Sequence, residues 1–328
     1  MNDIAHCDPL IIGVHGVGDH AKRTILPAID QCSALTLGGV STRNPDVLAE
    51  QCAKWSCPGW NSLEDMLADA NIDVVFVATP IHQHAVDGRK VLLSGRHLWC
   101  EKAFTATADD SQALVELAAK DNLAVCVSLA PVFHSQFLEM KRALISGQIG
   151  KVRSISGHFA FPHKDSNDSR YDPEAGGGAL LDVGYYPALA ASILMDEIPT
   201  VSGAVLNHDA DFSVDIGGSA LLEFSEGVIG TAQWGYGRDY INELIVVGET
   251  GTLMASPAFS KPEHLPVTLK LRRQNEDSDL PVADCRQFVD MLSAFAAYTR
   301  DPKQRAMQRN LAVSHQRLID DIARCANE

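Results

Sequence analysis

"LIIGVHGVGDHAKRTILPAI", residues 10–29, decides the fold of this chain. A short apolar run, Leu10 to Val14, leads at once into Gly16-x-Gly18-x-x-Ala21, and a helical pattern follows. In such a unit the first glycine permits a tight turn and the second lets a pyrophosphate approach the backbone. The third small residue allows the helix to sit close on the strand. The helix N-terminus then presents unpaired N–H groups to the phosphates. The strand before and the helix after separate a dinucleotide loop from a chance glycine-rich turn. Gly16, Gly18, Asp19, His20 and Ala21 are therefore candidate cofactor-binding residues.

Outward from this loop, further apolar runs alternate with helical patterns: "ALTLGGV" (34–40), "IDVVFVA" (72–78), "HLWC" (97–100) and "LAVCVSL" (123–129). The runs are continuous rather than alternating, as strands buried on both faces must be. Between them, Thr107 with Asp110 has the spacing of a capping box for "ADDSQALVELAAKD", and Gly95 closes the helix of "AVDGRKVLLS". Strand-helix alternation predicts an α/β fold, a Rossmann-type doubly wound parallel sheet over residues 1–130.

After about residue 150 the pattern changes. "KVRSISGHFAF" alternates as a strand, a Gly-rich turn opens a helix near 180–195, and two hairpins follow. Their turns are Glu226-Gly227 and Glu249–Gly251. Residues 131–328 thus read as an α+β domain with a large, mostly antiparallel sheet, ending in helices over 284–300 and 304–326. The last helix is placed here as a candidate to return to the first domain.

An acidic residue about 20 positions beyond the glycines would hold a ribose 2′-hydroxyl and select NAD. Here the second strand ends "GGVSTRN", with Ser41, Thr42 and Arg43 in its place and Asp46 the nearest acid. Hydroxyls and a guanidinium suit a 2′-phosphate, so NADP(H) is preferred while NAD(H) stays possible. In "VATPIHQHA" (77–85), Ala78, Thr79 and Pro80 end a strand at the carboxyl edge of the sheet, where such sheets bind ligands. His82 and His84 lack an acidic or cysteine partner at ligand spacing and read as cofactor-loop residues or helix-start histidines, not a metal pair.

Glu101 and Lys102 end another strand. They form either a local ion pair or the edge of a site in which Lys102 supplies positive charge to a developing alkoxide and lowers the pKa of a phenol. Asp182 and Tyr186 in "EAGGGALLDVGYYPALAASIL" (174–194) are four apart, on one helical face, and pair an acid with a proton donor. Asp182 as a cap and Tyr186 as a core residue is the alternative.

Together, the glycine loop, "ATP-x-H-x-H", Glu101-Lys102, "GGGALLD-x-G" and the C-terminal hairpins resemble the glucose-fructose oxidoreductase / inositol dehydrogenase (Gfo/Idh/MocA) family over nearly the whole chain. The resemblance implies an N-terminal NAD(P) domain and a C-terminal sheet domain that holds substrate and makes oligomer contacts. The family's Glu-Lys-Pro lysine falls on Lys102, with Ala103 in place of the proline, and its helix Asp falls on Asp182. Tyr186, where inositol dehydrogenase-like members carry His, resembles the sugar ketoreductases, and residues 234–262 look most like their nucleotide-sugar branch. This implies NADPH-dependent reduction of a sugar ketone, with Tyr186 as proton donor and Lys102 as electrostatic stabiliser. Asp182, Tyr236 and Arg238 join them as candidate substrate-binding residues. Oxidation of a free pyranose or trans-dihydrodiol uses the same residues. A non-catalytic NAD(P)-binding regulator and an NAD-dependent glycoside hydrolase are the readings from other classes.

Composition narrows the rest. At 328 residues and 46% hydrophobic, the chain can bury two cores. A net charge of -15 with no basic run argues against nucleic acid. The N-terminus "MNDIAHCDPL" lacks the pattern of an export signal, and no apolar run reads as a membrane span. Eight scattered cysteines without C-x-x-C spacing read as thiols of a cytoplasmic homodimer or homotetramer, with no metal site.

Overall fold

The computed structural model describes residues 8–68, 71–262, 265–274 and 276–328. Most of the N-terminal decapeptide read for an export signal, together with Cys7, lies outside the described residues. The chain divides into two compact units. The first comprises residues up to 104, 109–128 and 288–312; the second comprises 105–108, 129–287 and 313–328.

The first unit is built on β1 (Leu10–His15), α1 (Leu26–Gln31), β2 (Leu35–Ser41), α2 (Pro45–Trp55), β3 (Gly59–Trp60), α3 (Leu63–Ala68), β4 (Val74–Val77), α4 (Ile81–Leu93), β5 (His97–Glu101), α5 (Ala108–Lys120) and β6 (Val125–Ser128). Its six strands are all parallel, in the order β3-β2-β1-β4-β5-β6. That order reverses between β1 and β4, and the crevice outside their carboxyl ends is where open sheets of this kind take ligands. All four residues of β4 are fully buried, which explains its unbroken run of Val and Phe. The two-residue strand β3 has no periodic signal and was missed in the sequence.

The second unit holds α6 (Ser135–Ile145), β7 (Val152–Phe161), α7 (Tyr185–Met195) and seven further strands. These are β8 (Thr200–His208), β9 (Asp215–Glu223), β10 (Ile229–Tyr236), β11 (Ile241–Gly248), β12 (Thr252–Ala255), β13 (Leu269–Arg273) and β14 (Glu276–Leu280). They form an eight-stranded sheet in the order β14-β13-β12-β11-β7-β10-β9-β8. Both predicted hairpins are present as antiparallel pairs. The central β7–β10 pair is parallel, which local turn signals cannot reveal. The exposed edge strand β14, "EDSDL", carries no apolar alternation to announce it. Pro173–Met195 is long and apolar enough to cross a membrane by length and composition, which corrects the reading that no run is. Of its most apolar 18-residue window, 72% is buried within the protein, as in a core segment.

Two helices close the chain, α8 (Gln287–Arg300) and α9 (Pro302–Cys325). From residue 288 to 312 they belong to the first unit. There the fully buried Trp99 of β5 meets Phe295 edge-on and donates its indole N–H to Thr299 at 3.1 Å. That bond meets the one polar demand of a buried indole.

Candidate active site

In the first unit, Gly16 turns at φ +88°, and a Cβ there would stand 2.6 Å from the Thr79 nitrogen. Only glycine fits between the ends of β1 and β4. A Cβ on Gly18 would meet nothing within 4 Å, so the loop is open on that side. Ala21 is 1% exposed, as close helix-strand contact requires. The helix opens at Asp19 and His20 and passes into a π turn at Ala21–Ile25, and the His20 side chain makes no capping hydrogen bond there. Asp19 pairs with Lys22. An open glycine face beside uncapped N–H donors fits a pyrophosphate.

At the end of β2 the three candidates separate. Ser41 is buried, and its hydroxyl meets His15 Nδ1 at 3.1 Å. Thr42 Oγ1 accepts the Asn44 N–H at 3.4 Å, within the turn that starts α2. Arg43 is exposed. At the end of β4, Ala78 and Thr79 are partly exposed and Pro80 caps α4. His82 is exposed, whereas His84 is 1% exposed. His84 Nε2 lies 2.7 Å from the Thr79 carbonyl oxygen and Nδ1 lies 2.9 Å from that of Ala103. It therefore has little surface to offer a cofactor, and of its two readings the helix-start histidine is the one its place in the first turn of α4 fits.

Glu101 and Lys102 leave β5 together. His20 Nε2 lies 3.2 Å from Glu101 Oε1, and the Lys102 backbone N–H donates to Glu101 Oε2 at 3.3 Å. Burial raises the Glu101 carboxyl, but His20, Lys102 and Ser128 outweigh it and hold it below its ordinary value. Burial likewise lowers His20, and Glu101 reverses the effect, leaving His20 above its ordinary value. The Lys102–Ala103 peptide is cis.

In the second unit, Asp182 lies in a π turn, Leu180–Gly184, that feeds α7. This is a second π segment at a candidate site, and π bulges often mark functional positions. Arg170 Nε donates to Asp182 Oδ2 at 2.8 Å, and the Tyr236 hydroxyl donates to the same oxygen at 3.1 Å. Arg170 also pairs with Asp168. Burial lowers Arg170, yet Asp182 and Asp168 carry it above its ordinary value. Arg170 was missed in the sequence. Its only signal was a lone cation among Asp165, Asp168 and Asp172. Tyr186, partly exposed, has its ring 5.6 Å from Phe159 and 6.2 Å from Phe259.

Two candidate substrate contacts are reassigned. Tyr236 is 2% exposed, and its hydroxyl is engaged by Asp182 and the Gly178 carbonyl. Burial, then Asp182, pushes that phenol well up. Its hydroxyl is thus turned to Asp182 and the Gly178 carbonyl. Arg238 lies across Gly235 and Gly217, where Cβ atoms would stand 2.8 Å from Nε and 3.2 Å from Nη2. Trp234, the neighbour of Gly235, faces Gly184 on the helix side. Side chains alternate along a strand, so Arg238 covers the opposite face of the sheet.

Residues 10–129 match the oxidoreductase family with an NAD-binding Rossmann fold, and residues 137–254 match the GFO/IDH/MocA C-terminal domain. The chain is 33% identical over 303 residues to the dTDP-3,4-didehydro-2,6-dideoxy-alpha-D-glucose 3-reductase of Streptomyces violaceoruber, covering 91% of this chain and 88% of that protein. It is 27% identical to D-xylose 1-dehydrogenase (NADP(+)) 2 of Haloferax volcanii, over 95% of both chains. Among solved structures, it is similar to KijD10, a 3-ketoreductase from Actinomadura kijaniata in complex with NADP and TDP-benzene. The TM-score is 0.92 at 27% identity, covering 97% of this chain and 98% of that one. KijD10 has also been solved with a tyrosine replaced by phenylalanine and with a lysine replaced by alanine.

Proposed function

Because the chain belongs to the Gfo/Idh/MocA oxidoreductase family, we propose that it reduces the keto group of a nucleotide-linked keto-deoxyhexose, with NADPH as donor. The observation that carries this reading is the 33% identity to the Streptomyces 3-reductase over 91% of the chain, with Lys102, Asp182 and Tyr186 all present. Reduced nicotinamide supplies the hydride. Gly16, Gly18 and the uncapped helix start hold the pyrophosphate, and Arg43 holds the 2′-phosphate. Lys102 places a fixed positive charge where the substrate oxygen becomes an alkoxide. Tyr186 gives that oxygen its proton. Asp182, fixed by Arg170 and Tyr236, orients the substrate hydroxyls or Lys102.

The experiment is a panel of dTDP-linked keto-sugars and free pyranoses, followed by NADPH absorbance. Consumption of NADPH with a dTDP-linked keto-sugar supports the reading. Oxidation of free pyranoses with NADP, and no reduction of any nucleotide-linked ketone, would replace it with the dehydrogenase reading that the xylose dehydrogenase relative favours.

The protein is proposed to work in the cytoplasm as a homodimer or homotetramer. All seven described cysteines are free thiols. Strand register puts Val205, Leu221, Ile229 and Val247 on the sheet face away from α7. They are 57%, 40%, 49% and 38% exposed. On the same face, His158 Nε2 is buried without a hydrogen-bond partner. A second subunit is the usual cover for such a face.

A further inference from the structure

One polar side chain of the first unit is held at both ring nitrogens and is 1% exposed. His84, in the first turn of α4, bridges two backbone carbonyl oxygens at 2.7 and 2.9 Å. Carbonyl oxygens only accept, and a neutral imidazole has one N–H and one lone pair. A neutral ring makes one of these bonds and points a lone pair at the other oxygen. Only a ring protonated at both nitrogens makes both. One carbonyl belongs to Thr79 at the end of β4. The other belongs to Ala103, the residue after Lys102.

The same strand end is fixed by a second buried network. Thr79 Oγ1 donates to Asp87 Oδ2 at 2.9 Å, and that oxygen lies 3.5 Å from His15 Nε2. His15 Nδ1 meets Ser41 Oγ at 3.1 Å. The chain Ser41–His15–Asp87–Thr79–His84–Ala103 thus runs from the strand end beside Arg43 to the lysine loop. The charged groups around the ring are Glu101 at the end of β5, with its partners His20 and Lys102, and Asp87 one turn on in α4, with its partner His15.

We propose that His84 is a positioning residue for Lys102: its doubly protonated ring ties the Ala103 carbonyl to the end of β4, and its singly protonated ring lets that carbonyl go. The shorter bond, to Thr79, keeps the hydrogen on Nε2. Burial favours the neutral ring, against the pull of Ala103, Thr79 and Glu101, and holds its pKa below the ordinary 6.5. The tie is therefore complete only once the pH has fallen below that lowered pKa, and it loosens as the pH rises through it. The inference rests on the reading that Lys102 acts in turnover.

Two arms test it on the full chain with NADP bound. In protein labelled with 15N-histidine, the ring signals absent from His84→Gln are followed from about pH 8, where an ordinary imidazole is neutral, down to the acid limit at which the protein stays folded. Two protonated nitrogens at the acid end and protonation at Nε2 alone at the other are expected. A ring with a single proton throughout, or one titrating as an exposed imidazole does, overturns the proposal. In the second arm, single-turnover reduction is measured for the unmodified protein, His84→Gln, Lys102→Ala and the double variant. His84→Gln should lose about 10²-fold, the effect of a small misplacement of a reacting group, with NADPH affinity unchanged. The loss should be largest at the acid end and should nearly vanish on the Lys102→Ala background. A loss independent of pH, or one that adds fully to Lys102→Ala, is that of a merely structural residue and overturns the proposal. If Lys102→Ala itself turns over normally, the functional reading fails, while the ring-proton arm still decides the state of His84. His84→Asn replaces the Gln variant should the latter not fold.

Discussion

Arg43→Ala separates the two nicotinamide cofactors if the end of β2 reads the 2′-phosphate. Ser41 is buried on His15, and Thr42 holds the turn into α2. That leaves the exposed Arg43 guanidinium as the group of the trio presented to solvent. A hydrogen bond to a charged group contributes about 1.5–3 kcal/mol, and salt screening at an exposed site favours the lower end. A loss of about 1.5 kcal/mol is roughly tenfold in Kd. The assay is fluorescence titration of NADPH and NADH into both proteins at low and high salt. NADPH should weaken by about that factor, less at high salt, where the unmodified protein has already lost part of the contact. NADH should not change, because it carries no phosphate at that position. Equal weakening of both cofactors, or no change for NADPH, refutes the assignment and returns Arg43 to the solvated surface.

Tyr186→Phe should lower single-turnover reduction while keeping its place beside Phe159 and Phe259, so a full turnover rate in this variant removes the phenol from the chemistry. Lys102→Ala should lose about 10²–10³ in rate with NADPH binding retained, and the double variant should lose less than the product of the two, as residues acting in one step do. Lys261 is 6% exposed, and burial brings it down to about 7. The unfolded chain then binds the extra proton between about 7 and about 10.4, so stability should rise with pH across that window. Thermal melts of Lys261→Met should lose this rise, and an unchanged slope would mean that the ammonium is not desolvated. Light scattering at micromolar protein should give a dimer or tetramer mass; a monomer leaves the sheet face that carries Leu221 and Ile229 uncovered.

The first unit was legible because the middle of most of its main strands is buried on both faces, β4 throughout, and the hydrophobic runs state this directly. The glycine loop was legible for a different reason: the chemistry demands glycine at Gly16, where Thr79 leaves no room for a Cβ. What escaped has no local signature. Strand β3 is two residues long, β14 is polar, and the parallel pairing of β7 with β10 joins strands about 70 residues apart. The alternation of Trp234, Gly235 and Tyr236 put Tyr236 on the helix side. Arg238, beyond a glycine with φ +67°, turns onto the other. A reading that groups neighbours in sequence cannot separate the two.

The same distinction explains which acids the sequence could interpret. Glu101 beside Lys102 looks like a strand-end ion pair, and Asp182 ahead of Tyr186 looks like a helix cap. In the fold each carboxylate has a partner brought from elsewhere: His20 from the glycine loop for Glu101, and Arg170 from the loop before α7 for Asp182. A carboxylate that served only to neutralise its neighbour or to cap a helix would not require a second partner, least of all one as costly to desolvate as a partly buried guanidinium. Arg170 and Tyr236 meet on a single oxygen of Asp182, which fixes the plane of the carboxylate as well as its charge. His20 and the Lys102 backbone N–H take one oxygen each of Glu101. Each acid is thus held in orientation with the help of a group remote in sequence, an arrangement suited to aiming a neighbouring side chain or a substrate hydroxyl rather than to holding a local turn.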